Sequence, residues 1–216
     1  MKAFALITVF VLISCGLTVP PLASAQTNHP PVPAAAVEND LGNGEYPTLL
    51  GVISPDGLSA AVVFDASASS DPDGDLLRFT WGEIDKGTFH PFAEGIRVTN
   101  VFAASSGYGL GLAVSDGASS TIIRFGLRVW TPAQVVDGWL IDALKDGAQP
   151  GRPKQSLLGP LEQALSSFEN GDFGRALHFV SVFQQKSRVQ QVTPDGDRAE
   201  EVERATQLLL DIVIGD

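Results

Sequence analysis

The sequence predicts a β + α chain: a β-sandwich of two antiparallel sheets, followed by a small domain of three or four helices. Three observations predict it. From Tyr46 to about Val129 apolar side chains alternate with small or polar ones, the two-residue rhythm of half-buried strands. Turn-forming clusters break that stretch at short intervals. At Thr131-Pro132 the rhythm changes to the three-and-four spacing of amphipathic helices.

The N-terminus, residues 1–25, reads as an export signal. Lys2 supplies a minimal positive start, and Ala3 to Ile13 form an apolar run too short to anchor in a bilayer. Two processing patterns compete. Ala23-Ser24-Ala25 is a small-x-small cleavage signal before Gln26. Leu12-Ile13-Ser14-Cys15 has the form of a lipobox, in which Cys15 would carry lipid and anchor the protein to the membrane. Cys15 is the one cysteine, so no intramolecular disulfide is available in either case. Both patterns predict an exported protein, secreted, periplasmic or at the cell surface.

Residues 26–44, rich in Pro, Ala and Asn, read as an extended leader. The sandwich is expected over 45–130. Val62 and Phe64 alternate with small neighbours, and Leu77, Phe79 and Trp81 do the same. Tyr108, Leu110, Leu112 and Val114 oppose Gly109, Gly111 and Ala113. Ile123, Phe125, Leu127 and Val129 oppose Arg124, Gly126 and Arg128. Trp81, Phe79 and Tyr108 are expected in the core. Turns are expected at Asp71-Pro72-Asp73-Gly74, Asp85-Lys86-Gly87, Ser106-Gly107 and Ser115-Asp116-Gly117. The stretch Asp85 to Pro91 reads as an exposed loop suited to recognition.

The helical domain is expected over 131–216. Val135 to Leu144 has helical spacing. Leu158, Leu161, Leu165 and Phe168 make one stripe, with Pro160 near its start. Phe173, Ala176, Leu177, Val180 and Phe183 make the next, after a stop at Glu169 to Asp172. Thr193-Pro194 offers a cap and a first-turn proline for a last helix holding Ala199, Val202, Ala205, Leu209 and Ile212.

Two stretches resemble known families. Phe64-Asp65-Ala66-Ser67-Ala68-Ser69-Ser70-Asp71-Pro72-Asp73-Gly74-Asp75, running on to Trp81, and Tyr108 to Gly117 with its Val-x-Asp-Gly ending, resemble the PKD family over about residues 28 to 130. That resemblance implies an Ig-like sandwich used for spacing, adhesion, or protein and carbohydrate contact, and not catalysis. After Trp81 the sequence departs: Gly82-Glu83-Ile84-Asp85 stands where many members carry an aromatic-Gly-Asp-Gly turn. The second half, through Thr131 to Gln134, Ser156 to Leu165, Gly171-Asp172 and the Ala205 to Ile212 helix, resembles the helical FIMAH domain of bacterial surface proteins. It departs around Phe183 to Val192. This second resemblance implies architecture and location only.

The chemistry-bearing residues are few. Asp71, Asp73 and Asp75 share one turn with Gly74, and carboxylates at alternate turn positions can converge on a hard cation such as calcium. The EF-hand pattern is incomplete, with Leu76 at the glycine position and Gly82 at the bidentate position. The PKD resemblance points to the same three aspartates as calcium ligands, joined by Asn39 or Asp40; the plainer alternative is a solvated turn. His29, His90 and His178 have no zinc spacing, and neither a nucleophile elbow nor a phosphate loop is present.

The formal charge of −11 and the lack of a basic run argue against nucleic acid as a partner, while 44% hydrophobic residues argue against disorder. The function expected is that of a non-catalytic accessory protein needing no cofactor beyond that candidate calcium. The sandwich would serve as spacer or adhesion module, and the helices would dock an envelope or extracellular protein or polysaccharide. A carbohydrate-binding protein using Trp130 and Trp139 is the alternative, and a hydrolase with two carboxylates in a cleft is a third.

Overall fold

The structure of the protein, a computed structural model, describes residues 27–42, 48–146, 155–190 and 197–214. Eight strands come first in these residues and helices follow, a β + α chain. The strands are β1 (Ala36–Val37), β2 (Leu49–Ile53), β3 (Ser59–Asp65), β4 (Arg78–Asp85), β5 (Thr88–Glu94), β6 (Arg97–Ala103), β7 (Ser106–Ser115) and β8 (Ser120–Trp130). One sheet has the order β1-β3-β6 and the other β2-β8-β7-β4-β5. The signal segment, with Cys15 and both processing patterns, lies outside the described residues, as does Thr193-Pro194.

The expectation of purely antiparallel sheets is corrected at one edge. Strand β2 runs parallel to β8, with Leu49 opposite Gly126 and Ile53 opposite Trp130. Parallel neighbours need a long crossover, and here the intervening strands supply it. Side-chain alternation is the same in either direction, so the sequence carries no sign of it.

The stretch expected as a loop from Asp85 to Pro91 is also corrected. Lys86 (φ +48°) and Gly87 (φ +86°) make a tight turn, and β5 returns along β4 as the edge of the sheet. Pro91 has no N–H to give, which an edge strand with a bulge opposite Trp81 and Gly82 tolerates. The phenyl ring of Phe89 then lies over Gly82, where a Cβ would stand 2.6 Å from it. Ser106-Gly107 is not a turn either; the chain reverses one step earlier, at Ser105 (φ +59°), and both residues belong to β7.

The alternating residues gather as expected. Phe64 and Val62 from the three-stranded sheet meet Trp81, Leu110, Leu112, Val114, Leu127 and Val129 from the five-stranded one, all essentially buried. Phe79 and Tyr108 are half-buried at its margin. The Trp81 indole N–H donates to the Gly95 carbonyl at 2.9 Å, which satisfies its one polar atom inside the core. The leader takes part as well: β1 pairs with β3, Val32 bridges to Ser70, and Glu38 forms an ion pair with Arg97.

The helices begin at a capping box. The Thr131 hydroxyl accepts from the Gln134 amide, and the Gln134 side chain accepts from the Thr131 amide. Then come α1 (Pro132–Val135), a π-helical stretch (Val136–Ile141) and α2 (Asp142–Asp146), followed by α3 (Gln155–Glu169), α4 (Phe173–Gln190) and α5 (Asp197–Ile214). Pro160 sits inside α3, not in its first turn. A proline there cannot bond the carbonyl four residues back, and that carbonyl, of Ser156, accepts from Lys186 Nζ of α4 instead. Leu140, Leu157, Leu161, Val180, Phe183 and Leu209 form a second cluster, and this cluster includes Leu41 from the leader and Ile53 from β2.

Candidate functional site

The residues that could carry chemistry meet at one corner of the strands. The turn between β3 and β4 is shaped by Asp71, whose Oδ1 accepts from the amides of Asp73 (2.8 Å) and Asp75 (3.2 Å). That short-range bonding makes the Asp-Pro-Asp-Gly sequence fold back on itself, with Gly74 at φ +80°. One carboxylate oxygen from each of Asp71, Asp73 and Asp75 lies within 4.8 Å of the others. The sequence therefore named three residues that the fold brings together.

The partners of this triad were not legible. Asn28 and His29 of the leader cross the end of two turns. The His29 amide donates to Asp73 Oδ2 at 2.6 Å, and His29 Nδ1 lies 3.0 Å from Asp73 Oδ1. Asn28 donates to Asp116 Oδ2 at 3.0 Å, and Asp116 also accepts from the amides of Ala118 and Ser119 in the turn between β7 and β8. The His29 amide bond, with its ring contact, lowers the Asp73 carboxyl below its ordinary range against some repulsion from Asp116. The Ser119 amide, joined by Asn28 and the Ser119 hydroxyl, lowers Asp116 further. Asn39 and Asp40 do not join the corner; Asp40 accepts from the amides of Gly42 and Gly51.

A hard cation fits this donor set on one observation. Asp71 Oδ2 is buried and has no hydrogen-bond partner, an orphaned carboxylate oxygen beside two further carboxylates. Asp75 is exposed, whereas Asp73 is 13% exposed at its side chain and both its oxygens are engaged by His29.

The tryptophans lie elsewhere, at the junction of strands and helices. Trp130 and Trp139 meet edge to face at 6.3 Å, each half-buried and packed on the helical cluster. The Arg128 guanidinium lies 4.0 Å over the Trp130 ring. Neither indole stands free as a flat platform. Of the histidines, His90 is exposed on β5 and His178 is exposed on α4 beside Phe179. An open recess on α5 is lined by Glu200, Glu203, Arg204, Gln207 and Leu208, so its two carboxylates come from one helix face. No described helix is long and apolar enough to cross a membrane.

No protein-family model and no curated protein matches the chain. Among solved structures, a nucleoside hydrolase-related hypothetical protein from Saccharophagus degradans, associated with carbohydrate metabolism, matches at 24% identity with a TM-score of 0.30. The match covers 48% of this chain and 26% of that one, so this chain spans about a quarter of that protein's length. A likeness that slight carries no argument about fold or activity.

Proposed function

We propose that the chain is an exported, non-catalytic accessory protein: a PKD-like sandwich used as a spacer, carrying a helical domain that docks a protein or polysaccharide of the envelope. One observation carries this reading. The helical cluster is founded on Leu41 and Ile53, with Trp130 and Trp139 locked across the seam. Helices seated on a sheet in this way hold a fixed direction, which is what a spacer must transmit and a flexible tether cannot.

Co-sedimentation of the full-length exported protein with isolated cell envelopes tests it. The expected outcome is retention on the envelope fraction, with no turnover of nucleoside or glycoside substrates. A protein that stays wholly in the supernatant, or that hydrolyses either substrate class, removes the reading.

A second reading concerns the aspartate corner. The orphaned Asp71 Oδ2 favours a bound calcium ion held by Asp71, Asp73 and Asp75. Its chemistry there would be structural: it would neutralise three clustered carboxylates and tie the β3–β4 turn together.

A further inference from the structure

We infer that the outer face of the five-stranded sheet binds an acidic polysaccharide, a polymer with carboxylates on its sugar rings. This rests on the accessory reading above and adds to it the partner's chemistry and the surface that recognises it.

The face follows from the register. On β8 the outward residues are Ile122, Arg124, Gly126, Arg128 and Trp130, because Ile123, Phe125, Leu127 and Val129 point into the core. Across from Arg124 lie Gly111 of β7 and Gly82 of β4; across from Arg128 lies Gly107. At the far corner Arg78 of β4 is outward in the same alternation, opposite Ser115. Arg78, Arg124 and Arg128 are all exposed, and among the described residues none of them has a carboxylate partner. Glu83 and Asp85 of β4 alternate to the other face with Trp81, so among the described residues the one acid on the outward face is Glu94, opposite Thr80 at the β5 edge.

Charge complementarity selects the occupant. The whole chain is at −11, yet this face carries three arginines against one glutamate. The acids at Asp56, Asp71, Asp73, Asp75 and Asp116 sit in the turns and Asp65 at the last position of β3, away from the strand centres. At physiological salt, charges separated by more than about 8 Å are largely screened, so the turns do not cancel the face. They do repel a polyanion from the turns, which favours this face of the strand region as its landing place. Guanidinium groups bind carboxylates through two parallel hydrogen bonds. Arg124 and Arg128, four residues apart on one strand, stand about 13 Å from each other, a spacing for successive acid groups on an extended polymer. The Trp130 ring holds the Arg128 guanidinium in place beforehand.

The floor suits a sugar chain better than a membrane or a protein. Phe89 and Ile84 lie down over Gly82 and Gly111, and Leu49 over Gly126, which leaves Ile122 as the one large apolar side chain exposed on this face among the described residues, too little apolar area to seat in lipid. What remains is a flat strip bordered by arginine forks.

The test titrates the purified full-length exported protein with polygalacturonate, with neutral dextran, with single-stranded DNA and with vesicles containing phosphatidylglycerol. Binding to polygalacturonate alone is expected, weakening as salt rises. The double variant R124Q/R128Q should lose roughly tenfold in affinity or more at an unchanged melting temperature. R175Q, on α4, should bind as the parent does. Absence of polygalacturonate binding, equal binding by R124Q/R128Q, or equal binding of DNA or vesicles would each overturn the inference. Envelope retention that persists while polygalacturonate fails removes this inference alone; loss of both removes the accessory reading with it.

Discussion

The two hydrophobic clusters are made of different material and depend on each other in one direction. The strand cluster is aromatic. Phe64 lies against Trp81, Phe92, Phe102 and Phe125 at ring separations from 5.2 to 6.5 Å, which joins residues far apart in sequence. The helical cluster is mostly aliphatic, with Leu140, Leu157, Leu161, Val180 and Leu209 at its centre. It takes Leu41 and Ile53 from the strand side, while the strand cluster takes no described residue from the helices. The helices therefore need the strands as a floor, and the strands have what they need without the helices.

Two substitutions test this asymmetry. Trp81→Ala removes a fully buried indole and leaves the Gly95 carbonyl without its donor, a loss of about 3–5 kcal/mol. That is a large fraction of a domain's stability, so amide exchange in β3 and β7 and the helical circular dichroism should fail together. Ile53→Ala should cost about 2–5 kcal/mol, read in the helical signal, with exchange in β3 and β7 unchanged. If Ile53→Ala weakens both regions equally, the clusters are one cooperative unit and the asymmetry is false.

The same contrast explains what the sequence could say. Strands β7 and β8 were legible because one side of each is core and the other is open, so the alternation is unbroken over Tyr108 to Val114 and Ile123 to Val129. Strand β5 was not, because an edge strand interrupted by His90-Pro91 needs no clean alternation. The helical stripes were legible because each helix buries one face. The contribution of Leu41 was hidden, since a lone leucine in a polar leader has no period to betray it. At the corner, Asp71, Asp73 and Asp75 could be named because turn chemistry is local. His29 and Asn28 could not, because their bonds span 44 and 88 residues and obey no spacing rule.

Calcium at that corner sharpens the comparison, since its effect should be confined to the strand side. Thermal melts with calcium and with chelator should differ, by about 2.7 kcal/mol if the ion is supplied at a hundredfold excess over its dissociation constant. Asp71→Asn should abolish the difference, because it removes a charge from the orphaned oxygen. The helical transition should move only as far as the floor beneath it does. Identical melts with ion and chelator would leave the triad as a solvated turn.

The smallest expected effect separates charge from shape at the neighbouring turn. Asp116 accepts from the Ser119 amide at 2.6 Å, the Ala118 amide at 2.7 Å and the Asn28 side chain at 3.0 Å. These donors favour the ionised form, so its carboxyl titrates well below the usual range in the folded protein. A lowered folded value means that the stabilisation is present above the unfolded value of about 3.9 and is lost as pH falls from there through the folded one. Asp116→Asn keeps the shape and removes the charge. Its melting temperature should lie below the parent's at pH 7, and the gap should close progressively below about pH 4. High salt should narrow the gap as well, because the group stands at the surface. A gap that persists unchanged to pH 2 would mean that the turn needs an oxygen on both arms of the side chain and draws nothing from its charge, and the corner would then be stitched by geometry alone.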